Sequence, residues 1–237
     1  AGSYLFIEPQ NALTVAFRVV AGAHGFSPVR ITFPEGETVR EAASRVEASL
    51  PNLAAEDFLN EANPYEGYLF PDTYLFLPSA DEKVIVADMR ATFNEKVAPL
   101  SGDIAASGHS LSELVIMASL VEKEARSSGV RRTIAGILWN RLARGMPLQV
   151  DAVFGYIFNR DTYSPSFDDL KVDSPYNTYT HAGLPPGPIC NPGLDSLEAA
   201  LYPTKTDYLY YLTDVDGVMR YATTYSAHLV NQKRYLR

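Results

Sequence analysis

Cysteine and histidine are scarce in this sequence, which limits the chemistry that the protein can perform. The 237 residues contain one cysteine, Cys190, and four histidines, at positions 24, 109, 181 and 228. A single cysteine excludes an intramolecular disulfide and a cysteine-rich zinc site, and four histidines leave few ligands for other metal chemistry. We therefore expect neither a metal nor another cofactor.

Basic clusters and long apolar runs are also missing. Twenty Lys and Arg residues stand against 28 Asp and Glu residues, a formal charge of −8, and no basic run could neutralise a phosphate backbone. This excess of acidic residues argues against a nucleic-acid partner. No stretch approaches the roughly 18 consecutive apolar residues of a membrane span, and the chain opens with AGSYLF rather than a leader. We expect any signal or anchor to lie outside this sequence.

The residues that are present predict a globular α+β protein. Hydrophobic residues make up 46% of the chain, which is enough to bury a core. The segment VRITF alternates as a half-buried strand, a turn follows, and Thr38 with Glu41 forms a capping box at the start of a helix. We predict an N-terminal region over residues 1–80 that contains this compact unit, and a mixed α/β domain over residues 81–237.

Further elements follow from periodicity and from turn residues. Helices are predicted over residues 54–62, 81–98, 110–126 and 130–143, the third of them opened by a capping box of Ser110 and Glu113. The segment SGDIAASGHS has no apolar period and predicts a flexible turn. The segments 208–214 and 219–223, joined through Asp-Gly, predict a β-hairpin.

The helix that contains LSELVIMASLVEKEAR is apolar nearly all round, which predicts an interior position. Its last turn nevertheless carries Glu122, Lys123 and Glu124. Apolar surroundings and the negative end of the helix dipole both disfavour an ionised carboxyl, as a general acid requires. The two acids lie on opposite shoulders of the helical wheel, so spacing does not choose between them. A solvated last turn remains the plainer interpretation.

Two loop regions could supply contacts to a sugar. Within SPYNTYTHAGLPPGPICNPG, aromatic faces could stack on pyranose rings and amides could bind hydroxyls, although a purely structural loop is equally consistent. The candidates in this loop are Tyr176, Asn177, Thr178, Tyr179 and Asn191. The second region, NPYEGYLFPDTY, contains Glu66, which is either a substrate contact or a buried polar brace. Gln149 and Asp151 complete the candidate substrate-binding residues. Asp151 is either a second carboxylate or the N-cap of DAVFGYIF, and the spacing favours the cap.

Other catalytic and binding motifs are missing from the sequence. No G-x-S-x-G occurs, the histidines have no evident serine or cysteine partner, and phosphate loops and dinucleotide fingerprints are absent. Cys190 is more consistent with a packed thiol than with a nucleophile. The remaining candidate chemistry is that of carboxylates.

Six motifs, in this order, resemble the membrane-anchored endolytic murein transglycosylases of bacteria, the YceG-like family. They are ITFPEGETVREAASRV, YEGYLFPDTYLF, LVIMASLVEKEAR, GILWNRLARGMPLQVDAV, SPYNTYTHAGLPPGPICNPGLDSLEAAL and DYLYYL followed by DG. The resemblance implies a small LysM-like subdomain ahead of a catalytic domain built around a buried helix. It also implies cleavage of the β-1,4 bond between N-acetylmuramic acid and N-acetylglucosamine, with a 1,6-anhydromuramic end as product.

The resemblance also assigns roles and a location. The family's catalytic glutamate is the second acid of its E-K-E motif, which corresponds to Glu124. Peptidoglycan strands are the implied partner, with cell-wall synthases as further partners. The implied location is the outer face of the bacterial cell membrane, with a single N-terminal anchor that is absent from this chain. Two alternatives stay open: a glycan-binding scaffold without activity, and a conventional glycosidase that uses Glu124 with Asp151.

The chain departs from the family pattern at two places. The family shows Ser or Thr before the Asp of its L-Q-x-D segment and Pro after it, where this chain has Val150 and Ala152. It also shows a histidine near the end of the terminal hairpin, where Met219 and Arg220 stand. These departures bear on contacts to the substrate more than on the acid.

Overall fold

The computed structural model describes residues 4–6, 8–23, 25–160 and 165–236, so His24 lies outside the described residues. Within these ranges the helices are α1 (Ala12–Val20), α2 (Val39–Ser49), α3 (Ala55–Ala62), α4 (Glu82–Val97), α5 (Ser101–Ser107), α6 (Leu111–Glu124), α7 (Ser128–Ala143), α8 (Ala152–Phe158), α9 (Leu194–Leu201) and α10 (Tyr225–Tyr235). The strands are β1 (Val29–Thr32), β2 (Thr73–Phe76), β3 (Tyr210–Thr213) and β4 (Met219–Ala222). Short 3₁₀ helices lie at Asn63–Tyr65, Ala98–Leu100 and Asp169–Lys171. The predicted α+β class is confirmed.

The N-terminal unit has the order β1–α2–α3–β2. Strands β1 and β2 pair antiparallel, with Val29 opposite Phe76 and Thr32 opposite Thr73. The capping box of Thr38 and Glu41 forms as predicted at the start of α2. Apolar side chains from both helices and both strands form one buried hydrophobic core. That this unit is LysM-like stays a prediction from the resemblance.

The second core surrounds α6, as the all-round apolar sequence predicts. Every residue of α6 from Leu114 to Val121 is buried, and Ser110 with Glu113 forms the predicted capping box. Helix α6 packs against α7, α8 and α9. Burial on all sides fixes where the last turn of α6 emerges, and therefore where its acids lie.

Helix α4 connects the two cores. Val86 and Met89 belong to the core of the N-terminal unit, whereas Phe93 and Val97 belong to the core around α6. One helix therefore packs against both units, and the boundary at residue 80 stays a prediction.

The segment predicted as a flexible turn forms helix α5 instead. Asp103 lies in the first turn of α5, and Gly108 ends the helix in the left-handed conformation, with φ of 79°. Ile104 packs against the second core, and the hydroxyl of Tyr202 bonds the carboxylate of Asp103. The prediction was wrong because one apolar contact and one tertiary hydrogen bond hold a helix too short to show a period.

The predicted hairpin is confirmed. Strands β3 and β4 pair antiparallel, with Tyr210 opposite Ala222 and Thr213 opposite Met219, and Gly217 takes φ of 78° in the turn. Helix α10 packs against both strands. Among the described residues, no single helix is long and apolar enough to cross a membrane. Only Glu82–Ser107 and Leu111–Glu124 taken together, bent by 107°, meet that requirement of length and composition.

Candidate functional site

A groove with two arms passes the end of α6. The first arm, of about 610 Å³, lies between the N-terminal unit and the second core, and we call it the α2 arm. The second arm, of about 430 Å³, is bordered by β3 and α10, and we call it the hairpin arm. Glu124 and Asp151 line both arms. The two carboxyl groups therefore stand where the arms meet.

Glu124 is the last residue of α6, and the packing of that helix brings its side chain to the groove. The hydroxyl of Tyr211 donates a hydrogen bond of 2.9 Å to Oε2 of Glu124. Burial raises the pKa of Glu124, and the charge of Asp151 acts in the same direction. The hydrogen bond from Tyr211 and one from the backbone N–H of Ala152 oppose this rise. A carboxyl that holds its proton more tightly than usual is suited to donate it as a general acid.

Glu122 has a different environment, although it lies only two residues away. Its Oε1 accepts a bond of 2.5 Å from Nη2 of Arg131, and its Oε2 accepts one of 3.0 Å from the backbone N–H of Gly193. Arg131 also bonds Asp195 at 2.8 Å. The carboxylate of Glu122 is therefore committed to a buried ion pair that joins α6, α7 and the start of α9. The geometry separates the two acids that the helical wheel could not.

Asp151 does not cap α8, contrary to the expectation from spacing. Its backbone is already helical, with φ of −70° and ψ of −29°, and its side chain makes no capping bond. Oδ1 of Asp151 instead accepts a bond of 2.5 Å from the hydroxyl of Tyr179. An N-cap needs an extended backbone, which Asp151 lacks. The carboxylate is consequently free of the helix end and lies in the groove.

Two of the loop residues proposed as sugar contacts, Asn177 and Thr178, are buried and brace the loop. Nδ2 of Asn177 donates to the carbonyls of Leu170 and Val172, and Oδ1 accepts from the backbone N–H of Tyr179. Oγ1 of Thr178 accepts a bond of 2.9 Å from the backbone N–H of Val150. These bonds fix the positions of Tyr179 and of the Gln149–Asp151 segment, but the two side chains do not line the groove.

Asn191 joins the two units of the protein from a buried position. Its Oδ1 accepts from the backbone N–H groups of Gly67 and Leu69, at 2.8 and 3.1 Å. Its Nδ2 donates to the carbonyl of Glu37 at 3.1 Å and to Glu66 at 3.3 Å. All the polar atoms of this side chain are used inside the protein, so the structure does not bring Asn191 to the groove.

Glu66 lines the α2 arm and lies at the N-terminus of α2. Its carboxylate accepts the backbone N–H of Val39 at 3.1 and 3.2 Å. Burial raises the pKa of Glu66 to about 7, against opposing hydrogen bonds from Val39 and Gly67. The structure thus gives Glu66 a position in the groove wall and a structural contact at the same time.

Gln149 and Tyr176 complete the candidates from the sequence. Gln149 lines the hairpin arm and adopts φ of 52°, which non-glycine residues rarely do. Its Oε1 accepts a bond of 3.2 Å from Nη1 of Arg141. Tyr176 packs on Tyr156 with ring centroids 4.9 Å apart and does not line either arm. The positive φ of Gln149 is consistent with its position in the groove, because strained backbone conformations concentrate at functional sites.

Sequence reasoning missed Tyr211 and Arg141, which both line the groove. The pattern YLYYL indicates a strand, but nothing in it places that strand against the end of α6. Arg141 looks like an ordinary basic residue in the last turn of α7, yet it is only 5% exposed. Basic residues are common in the last turn of a helix because they interact favourably with the helix dipole. Nothing in the sequence therefore indicated that Arg141 is buried.

The departures from the family pattern have structural explanations. Val150 is fully buried in the second core, and Ala152 is the first residue of α8. Arg220 donates a bond of 2.9 Å to the buried carboxylate of Asp214 and lies over the ring of Tyr235. The hydroxyl of Thr213 donates to the sulfur of Met219. Of the four residues that depart from the family pattern, Ala152 lines the α2 arm, and the other three line neither arm.

Comparison with known proteins gives consistent relatives. The chain is 37% identical to the endolytic murein transglycosylase of Bacillus subtilis (strain 168), over all of this chain and 73% of that protein. It is 33% identical to the endolytic murein transglycosylase of Streptococcus pneumoniae serotype 2, over 84% of this chain and 43% of that protein. The fold matches the crystal structure of a YceG-like protein from Listeria monocytogenes with a TM-score of 0.79. That match has 32% identity and covers 93% of this chain and 81% of the other.

A family model described as the YceG-like family matches residues 1–234. The alignment of one relative over the whole chain and the shared fold agree with this match and with the six motifs. The chain therefore belongs to the YceG-like family.

Proposed function

We propose that the protein is an endolytic murein transglycosylase. It cleaves the β-1,4 bond between N-acetylmuramic acid and N-acetylglucosamine in nascent glycan strands and leaves a 1,6-anhydromuramic end. One observation carries this proposal: the carboxyl of Glu124, whose pKa is raised by burial, stands where the two arms of a groove meet. The names of the B. subtilis and S. pneumoniae relatives support the same activity.

Glu124 acts first as an acid and then as a base. In the first step its proton passes to the glycosidic oxygen while the bond from muramic C1 to that oxygen breaks. In the second step the carboxylate removes the proton of the C6 hydroxyl as that oxygen forms a bond to C1. No water is consumed and Glu124 ends as it began, so one carboxyl group serves both steps. Ordinary glycoside hydrolysis instead needs two carboxyl groups.

Asp151 stabilises the positive charge that develops on the sugar ring between the two steps. It lines both arms together with Glu124, and among the described residues it forms no ion pair that would neutralise its charge. Tyr179 fixes one of its oxygens at 2.5 Å and leaves the other for the substrate. Glu66 is less suited to this role because its carboxylate is held by Val39 and Asn191.

The shape of the groove favours cleavage within a strand. A site that opens into an arm on each side of the acid can hold sugars on both sides of the bond that breaks. The described lining offers tyrosine rings and carboxylates, which bind pyranose faces and hydroxyls. Peptidoglycan lies outside the cytoplasmic membrane, so the protein acts extracytoplasmically. A single N-terminal membrane anchor and contact with cell-wall synthases are further parts of the proposal.

Mass analysis of the products from uncrosslinked glycan strands tests the proposal. The wild-type protein should yield anhydromuramic ends, and Glu124→Gln should lose about 10²- to 10⁴-fold in rate while still binding strands. Glu95→Gln, an exposed change on α4, is the matched control and should cleave normally. Reducing ends would identify a hydrolase instead. A folded wild-type protein that binds strands and releases no product would identify a scaffold.

A further inference from the structure

The hairpin arm contains a buried guanidinium, that of Arg141. Arg141 is 5% exposed, and among the described residues it forms no ion pair. Its Nε donates to the carbonyl of Leu209 at 2.6 Å, and its Nη1 donates to the carbonyls of Pro147 and Leu148. Burying a charge without a counter-charge is costly, so such a residue is normally paired.

One nitrogen of Arg141 remains available for a ligand. Within the described part of the chain, Nη2 donates to no protein atom, although the residue lines the hairpin arm. The ring of Tyr210, 5.0 Å from the guanidinium carbon, compensates for only part of the lost hydration. A bound anion would therefore stabilise the guanidinium of Arg141.

A second unsatisfied group lines the same arm. Nδ1 of His228 is buried and has no hydrogen-bond partner among the described residues. Nε2 of the same ring lies 3.1 Å from the amide nitrogen of Gln232. Burial and the charge of Arg141 lower the pKa of His228, which keeps the ring neutral.

The basic residues of the two arms differ in burial. Apart from the shared Glu124 and Asp151, the only charged residue in the described lining of the hairpin arm is Arg141. The α2 arm contains two further acids, Glu41 and Glu66, and three basic residues, Arg40, Lys123 and Arg160. The basic residues of the α2 arm are exposed to water, whereas Arg141 is buried, so Arg141 gains the most from an anionic substituent of a bound strand.

We propose that the hairpin arm binds a carboxylate of the peptide that muramic acid carries, through Arg141. This inference rests on the proposed function, which brings a muramic residue to Glu124. The lactyl group starts from that same sugar ring, so its peptide extends into an arm adjoining the acid. A carboxylate there pairs with Nη2 of Arg141 and supplies the missing counter-charge. The enzyme consequently favours strands that bear peptides over strands stripped of them.

The test compares kcat/KM on peptide-bearing strands and on the same strands after an amidase has removed the peptides. Arg141→Ala would remove several internal bonds, so Gln232→Glu is the informative change: it adds a negative charge to the arm from an exposed residue of α10. In Gln232→Glu, kcat/KM on peptide-bearing strands divided by kcat/KM on stripped strands should fall about tenfold. The fall should come mainly from a higher KM for peptide-bearing strands. Lys233→Gln makes the same change in net charge at an exposed residue of α10 outside the arm, and should leave the ratio unchanged.

Binding measured without turnover separates this inference from the proposed function. The Glu124→Gln protein should bind peptide-bearing strands more tightly than stripped ones, and adding Gln232→Glu should remove that preference. Equal wild-type affinity and equal kcat/KM for both substrates would overturn the carboxylate site and leave the transglycosylase intact. A binding preference without any cleavage would support the site and contradict the transglycosylase.

Discussion

The hydroxyl of Tyr211 donates a 2.9 Å hydrogen bond to Oε2 of Glu124, across 87 residues of sequence. This bond ties the hairpin to the end of α6 and fixes the orientation of the acid. It favours the ionised form of Glu124, whereas burial favours the protonated form and is the larger effect. Tyr211 remains a donor because burial and the adjacent carboxyl raise its own pKa well above the usual range.

Replacing Tyr211 with Phe should raise the pKa of Glu124 further. The lost bond stabilised the ionised form, and a general acid works only while protonated, so the falling alkaline limb of the kcat/KM profile should move to higher pH. We expect the maximal rate to fall about tenfold because the carboxyl is less well oriented. A pH series for both proteins measures the shift. A limb that moves to lower pH would contradict the role given to this bond.

Glu122 and Glu124 should respond in opposite ways to the same substitution. Glu122→Gln breaks a buried ion pair with Arg131 and should lower the free energy of unfolding by about 3 kcal/mol. Glu124→Gln removes a carboxyl that burial disfavours in its charged form, so stability at pH 7 should be unchanged or higher. Urea unfolding and strand cleavage, measured on both variants, should show loss of stability in one and loss of activity in the other. Equal losses of stability and of activity in the two variants would contradict the separate roles of Glu122 and Glu124.

Glu66 should make stability depend on pH. Its pKa is about 7 in the folded protein and about 4.5 when unfolded, so the folded state binds the extra proton between these values. Stability from this group is therefore present below pH 4.5 and is lost as pH rises towards 7, by about 3 kcal/mol in all. Urea unfolding from pH 4.5 to 8 measures the slope. Glu66→Gln should flatten this slope. An unchanged slope in the variant would show that other groups cause the pH dependence of stability.

Two glycines of α7 should tolerate alanine differently. A Cβ on Gly136 would lie 2.2 Å from the carbonyl oxygen of Thr204, which is backbone and cannot move aside cheaply. We expect Gly136→Ala to lower the unfolding free energy by about 1–3 kcal/mol. A Cβ on Gly129 meets no described atom within 4 Å, so Gly129→Ala should be neutral or slightly stabilising. Thermal unfolding of the two variants compares them directly, and equal melting temperatures would contradict the close contact.

Local patterns in the sequence predicted most elements of the fold. The capping boxes at Thr38 and Ser110 mark the starts of α2 and α6, because an N-cap is satisfied by residues only three positions away. The Asp-Gly turn marks the hairpin for a similar reason. Helix α5 was missed because its stability depends on contacts with Tyr202 and the second core, which no local pattern contains.

The candidate site was predictable only in part. The sequence pointed to the carboxylates in the last turn of the buried helix, and the resemblance favoured Glu124 between them. It also proposed Asn177, Thr178 and Asn191 as sugar contacts, and the structure finds these side chains buried and bonded within the protein. Amide-rich loops bind sugars and brace backbones with the same hydrogen bonds, so composition alone does not separate the two uses.

By itself, the sequence determined that α6 is buried and that its last turn carries acids, because both facts follow from the order of side chains along one helix. Only the tertiary structure decided what each acid does: Arg131 approaches Glu122 from α7, while Tyr211 approaches Glu124 from the hairpin. It also left Arg141 buried in the lining of the groove, without an acidic partner in the part of the chain that the structure describes. Charge and protonation depend on neighbours in space, and these come from distant parts of the chain.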